Sequence, residues 1–225
     1  MDHQPRSSVR AGKNARDRLI QLATTHPEWA LGFQDETWWS RFAHPRMHSW
    51  SPDGESLHLV EQSPDKDDPD AKALACYGLL LRWPAVEPAE ATEEVWLRFV
   101  DGRPVSSITT QYLAWCCEKL AARGKMALLL IWDNASWHIS HEVCTWIRAH
   151  NQAVKRSGEG VRIVVCLLPV KSPWLNPIEP HWIHAKRRVV EPDGTLSAYE
   201  LAERVCATFD CHHESHLAIP ENVSC

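Results

Sequence analysis

Met126-Ala-Leu-Leu-Leu-Ile-Trp132 runs directly into Asp133-Asn134. An unbroken apolar run that stops on an acid reads as a strand covered on both faces, because a half-exposed strand alternates apolar and polar side chains. On its C-terminal side the pattern predicts a helix from about Ile139 to Asn151, with Val143, Trp146 and Ile147 on one side. A polar loop from Lys155 to Gly160 then precedes a second buried strand, Val161 to Leu168. The Pro-rich segment Pro169 to Pro177 leads into a helix reaching about Val190, and Leu196 to Cys211 forms a last amphipathic helix. On its N-terminal side, Ile108, Tyr112, Cys116 and Leu120 recur every four residues with Leu113 widening the stripe, and Gly124 closes that helix.

The first half reads differently. From Trp29, Leu31, Phe33 and Asp35 share one face of a period-2 segment, and Gly32, Gln34 and Glu36 share the other. Further strands fall at Leu57 to Glu61, Ala73 to Trp83 and Val95 to Val100, separated by Ser63 to Asp70 and Pro84 to Glu90, with Asp101-Gly102 as a turn. Hairpin strands followed by alternating helices and buried strands describe an α/β domain with a mixed sheet. In such sheets ligands gather at the carboxyl ends of the parallel strands.

Composition narrows the class. The chain has 225 residues, 24 Lys and Arg against 29 Asp and Glu for a net charge of −5, 44% apolar residues and 24% charged ones. That fits one ordinary globular domain. No stretch is long enough to span a bilayer and no signal peptide opens the chain, so a soluble, non-exported cytoplasmic protein is expected, with no membrane partner. Residues 1 to 28 begin with Arg6, Arg10, Lys13, Arg16 and Arg18 against Asp2 and Asp17, and read as a basic tail or linker. Eight cysteines form no C-x-x-C pair. The group Cys206, Cys211, His212, His213 and His216 is spaced too loosely for a standard metal motif, and a frayed polar helix end is the plainer reading.

Three carboxylates occupy telling positions: Asp35 in the first strand, Asp133 at the end of the central strand, and Glu179 in the first turn after Pro177. Ninety-eight residues separate the first two and 46 the last two, so only folding could unite them. Carboxylate oxygens are hard ligands for Mg²⁺. Paired divalent ions would turn a site that repels phosphate into one that displaces at phosphorus. Each acid also has a structural reading. Periodicity leaves the choice between Asp35 and Glu36 open, Asp133-Asn134 suits a turn, and Asn176-Pro177-Ile178-Glu179 resembles a capping box with Pro at the first helical position.

The wording around the acids decides between these readings. Gln34-Asp35-Glu36-Thr37, Trp132-Asp133-Asn134-Ala135-Ser136-Trp137-His138 and Leu168-Pro169-Val170-Lys171-Ser172-Pro173-Trp174-Leu175-Asn176-Pro177-Ile178-Glu179 resemble the three acidic motifs of DDE transposases. The resemblance is strongest to the insertion sequence 630 family of the Tc/mariner superfamily, and runs from about Trp29 to Val190. It implies a ribonuclease H-like α/β fold, a mixed five-stranded sheet flanked by helices. The aspartates would stand on the first and fourth strands and the glutamate on a following helix. It makes Asp35, Asp133 and Glu179 the catalytic and metal-binding triad for two Mg²⁺ or Mn²⁺ ions. Asn134, His138 and Asn176 fall at recurrent supporting positions.

The same resemblance implies a catalytic domain over residues 29–192 followed by a C-terminal helix and tail over 193–225, acting in a bacterial cytoplasm. The implied partners are transposon-end and target DNA, bound by a homodimer, and the implied reaction is metal-dependent strand cleavage and strand transfer. Lys171, Lys186, Arg187 and Arg188 would offset the overall negative charge along a DNA backbone track. Two departures stand out. The Asp133–Glu179 interval is long for a mariner enzyme, with Asn151 to Gly160 as the place for the excess. Only about 28 residues precede the first strand, where related enzymes carry helix-turn-helix domains. The competing readings are a catalytically silent or domesticated DNA-binding or assembly module on the same fold, and a nuclease without strand transfer.

Overall fold

The apolar run is strand β4, Ala127–Trp132, and every residue of it is buried. In the computed structural model, residues 6–42, 67–83, 92–189 and 195–219 are described. β4 lies between β1 (Trp29–Ser40) and β5 (Arg162–Leu167) and runs parallel to both. β1 pairs antiparallel with β2 (Ala73–Trp83), and β2 antiparallel with β3 (Thr92–Asp101). A two-residue β6 (Leu217–Ala218) adds parallel to β3, giving the order β5-β4-β1-β2-β3-β6. The described sheet therefore has six strands rather than the expected five. A two-residue strand has no periodicity to read, and β6 is fixed from outside itself: Arg98 on β3 donates two hydrogen bonds, of 2.7 and 3.0 Å, to the Ser215 carbonyl just before it.

Among the described residues, five helices cover the sheet on both faces: α1 (Arg6–Thr24), α2 (Ser106–Ala122), α3 (His141–Ser157), α4 (Glu179–Arg188) and α5 (Ala198–Thr208). Alternation along the strands sorts the two cores. Leu31, Phe33, Leu129 and Ile131 pack with α1, α4 and α5, while Ala30, Leu79, Leu128, Leu130 and Trp132 pack with α2 and α3. α3 opens with Ser140, whose hydroxyl accepts from the Val143 N–H, and ends at Gly158 in the left-handed conformation (φ 75°). Of Asn151 to Gly160, the stretch expected to hold the extra length as a loop or helix extension, most is helix, since α3 runs on to Ser157. No described helix is long and apolar enough to cross a membrane.

Two more expectations change. Residues 6–24, read as part of a basic tail, form α1, which seats Leu19, Ile20 and Ala23 against the core; Arg16 donates a 2.6 Å bond to the Leu175 carbonyl. Leu19, Ile20 and Ala23 keep helical spacing, but the surrounding arginines mask it. β5 is half-exposed rather than fully covered, with Val165 and Leu167 open, because it is an edge strand. The strand expected at 57–61 lies outside the described residues.

Candidate active site

Asp35 and Asp133 reach one place because β1 and β4 are parallel and in register. Leu31 pairs with Leu129 and Phe33 with Ile131, so two residues further on the acids follow on the same side. Beyond β5 the chain turns through Lys171, at φ 57°, and a short 3-10 turn, Pro173–Leu175, before α4 begins at Glu179. Asp35, Asp133 and Glu179 line one cleft of about 350 Å³ together with Asn134, Lys171 and Asn176. The six residues meet from three parts of the chain.

The capping box that stood as the structural alternative for Glu179 is absent. α4 has Ile178 at its N-cap position with no side-chain cap, and Pro180 rather than Pro177 stands within its first turn. The Asn176 amide donates a 3.0 Å bond to the Gln34 carbonyl on β1, so it ties the α4 lead-in to the first acidic strand instead of closing the helix end. Its Oδ1 is buried without a hydrogen-bond partner. Asn134 does the same between the other strands, donating to the Leu168 carbonyl past the end of β5.

His138 is fully buried, stacked on Trp132 with ring centroids 4.4 Å apart. Its Nδ1 lies 2.8 Å from Asp133 Oδ1 and its Nε2 2.8 Å from Glu36 Oε1, and Glu36 also accepts from the Gln34 amide. Burial opposes a charge on this ring, but the bonds to Asp133 and Glu36 outweigh it and push His138 up to about 9. Burial likewise pushes Asp133 up, while the bonds from His138 and the Ala135 N–H prevail and hold it below the usual carboxylate range. Asp35 is the reverse. Burial first, then the charges of Glu36 and Glu179, push it up to about 7, against a 3.0 Å bond from the Trp182 indole. Burial and the charge of Asp133 also raise Glu179, with Lys186 opposing.

Trp182 escaped the sequence reading, and Glu36 entered it only as an alternative to Asp35. Glu36 does face away from Asp35, but the buried His138 links it back to the site. Trp182 stands three residues after Glu179 and so shares its helix face, which is the signal that could have found it. Of the basic residues, Lys171 lines the cleft, and Lys186, 5.8 Å over the Trp39 ring, is near enough for its charge to act on Glu179. Arg187 and Arg188 are exposed on the last turn of α4. A second cleft, bounded by the same Asp35 and Asp133, is walled by Trp38, Arg103, Pro104 and Trp137.

No group of three or more His, Cys, Asp or Glu side chains among the described residues is arranged to hold a metal ion as they stand. The donor set of the cleft nevertheless fits a hard divalent cation. All three acids are oxygen donors, two of them are pushed above their normal range by burial and then by neighbouring carboxylates, and the Asn176 Oδ1 beside them has no donor.

Comparison with known proteins places this geometry. No curated protein sequence matches the chain. Solved structures similar to it include the Mos1 transposase paired-end complex with the left transposon end, at 14% identity and TM-score 0.58 over 94% of this chain and 57% of that one. The Mos1 mariner paired-end complex with Mn gives 14% and 0.56 over 93% and 56%, and the Mos1 strand transfer complex 15% and 0.52 over 94% and 56%. These show a shared mixed α/β fold, and the chain spans a little over half the length of each. Residues 30–197 match the family model described as DDE superfamily endonuclease, which covers all three acids. The chain belongs to the DDE superfamily endonucleases.

Proposed function

We propose that this chain is the catalytic domain of a DDE transposase of the insertion sequence 630 type, within the Tc/mariner superfamily and built on a ribonuclease H-like fold. It would cleave DNA strands at transposon ends and join the freed 3′-hydroxyl to target DNA. One observation carries the reading: acids from β1, β4 and α4, far apart in sequence, line a single cleft. The Mos1 paired-end complexes support DNA as the partner, and a homodimer on DNA in a bacterial cytoplasm is the assembly we propose. Residues 29–192 would form the catalytic unit.

Asp35, Asp133 and Glu179 would hold two Mg²⁺ or Mn²⁺ ions, which when bound activate the attacking oxygen and stabilise the leaving one at phosphorus. The chain's own residues do the rest. His138 orients the Asp133 carboxylate and keeps a positive charge behind it, and Trp182 fixes one oxygen of Asp35. Asn134 and Asn176 hold the strand ends and the α4 lead-in at their spacing. Lys171, Lys186, Arg187 and Arg188 would meet the phosphate backbone, and the aromatic walls of the second cleft suit unpaired bases.

The test is cleavage of DNA carrying the ends of the encoding element, with Mg²⁺ or Mn²⁺. Asp133→Ala should lose activity by orders of magnitude, and an unchanged rate would count against the assignment. A second reading, a catalytically silent DNA-binding or assembly module, draws on the lack of a closed three-ligand group among the described residues. Mutual repulsion of uncompensated carboxylates gives the same arrangement, and a silent module would bind DNA equally well with and without Asp133.

A further inference from the structure

The C-terminal histidines form a second constellation, on the far edge of the sheet from β4 and β5. His213 Nδ1 lies 2.7 Å from Glu203 Oε1 on α5, and His216 Nδ1 lies 2.7 Å from Asp101 Oδ1 at the end of β3. The two Nε2 atoms face each other at 3.3 Å. Both rings rest near Phe99, with centroids 5.6 Å away, and the Ser215 carbonyl between them is held by Arg98. The ring positions are thus fixed by the fold rather than by each other.

Tautomers make this arrangement informative. An ionised carboxylate only accepts, so each Nδ1 carries the proton and each neutral ring is left with a bare lone pair at Nε2. Two lone pairs aimed across 3.3 Å repel unless something positive lies between them. One proton held between the two nitrogens would relieve this repulsion, and so would a metal ion in its place. Two nitrogens each about 2.0–2.1 Å from a tetrahedral Zn²⁺ stand about 3.3–3.4 Å apart. A carboxylate on the far nitrogen of each ring is also the usual support of a metal-bound histidine.

We propose that His213 and His216 bind a divalent transition-metal ion, best satisfied by Zn²⁺, which fastens β6 to the sheet. No third His, Cys, Asp or Glu among the described residues joins them. Their side chains are 11% and 21% exposed, so water completes the coordination and the affinity is modest. Cys206 and Cys211 engage each other instead, and His212 is exposed. This site is separate from the acidic cleft, and it uses nitrogen donors suited to Zn²⁺ where the cleft offers oxygens suited to Mg²⁺.

The full chain, stripped with a chelator and dialysed, is titrated with ZnCl₂ while bound zinc and the unfolding temperature are followed. One Zn²⁺ per chain beyond any held by the acidic cleft, raising the unfolding temperature, is expected for the wild type and for Asp133→Asn, with loss of that ion in His213→Gln and His216→Gln. Asp101→Asn leaves both ligands in place and should weaken binding about 10-fold or more, which keeps the test valid if a histidine variant misfolds. Folded wild type that takes up no zinc, uptake indifferent to His213→Gln and Asp101→Asn, or uptake abolished by Asp133→Asn would each overturn the proposal.

Discussion

His138 Nδ1 sits 2.8 Å from Asp133 Oδ1, and the ring that makes this contact is completely buried. Its raised affinity for a proton is a statement about stability. The folded value of about 9 exceeds the ordinary 6.5, so the contribution is complete below pH 6.5 and is lost as pH rises through 9. In chelator, wild type should lose on the order of 1–3 kcal/mol between pH 6.5 and 9.5 by urea unfolding, and His138→Gln should not. Parallel pH profiles for the two would show that the ring is not charged by its neighbours.

Asp35 titrates with the opposite consequence. Its folded value, about 7, lies above the ordinary 3.8, so the folded chain keeps a proton that the unfolded chain has lost, and stability falls as pH rises from about 4 to 7. Without metal, Asp35→Asn should match wild type near pH 4 and exceed it at pH 8 by on the order of 2 kcal/mol. Adding Mn²⁺ should stabilise wild type and not the variant. Urea titrations at both pH values check it.

Gly78 carries a packing prediction. It pairs with Asp35 across β1 and β2, and a Cβ there would fall 2.3–2.5 Å from the Trp182 ring. Gly78→Ala should cost about 1–3 kcal/mol in thermal unfolding through overpacking. Cleavage should also drop, because the displaced indole is the one that holds Asp35. Trp182→Phe, which keeps an aromatic ring and removes the donor, should lower the rate with a smaller loss of stability.

The basic track is separable from the chemistry. Replacing Lys186, Arg187 and Arg188 together with Ala should weaken DNA binding alike on all sequences. It should also flatten the dependence of log K on log salt by about 0.9 for each phosphate that is no longer neutralised. Fluorescence anisotropy at several salt concentrations measures both, and an unchanged slope would remove these residues from the interface.

Much of this was legible in the chain because its signals are local. The run ending at Asp133 marked β4, and the four-residue recurrence of Ile108 to Leu120 marked α2. What escaped depends on distant partners. α1 is held by a few apolar residues and by Arg16 reaching the Leu175 carbonyl, which its charged sequence conceals. β6 exists because Arg98 places its lead-in. The residues around Asn176 suggested a cap, yet its amide is engaged by β1, a partner 142 residues away. The Glu36–His138–Asp133 bridge links β1 to the residue that follows β4 through a buried ring, a contact between two strands that alternation along either one alone does not reveal.

Mn²⁺ binding followed by electron paramagnetic resonance tests most directly whether the three acids make one cation site. Wild type should take up two Mn²⁺ in competition with Mg²⁺, and Asp35→Asn, Asp133→Asn and Glu179→Gln should each reduce that number while the fold persists by circular dichroism. Equal uptake by wild type and all three variants would contradict the shared site.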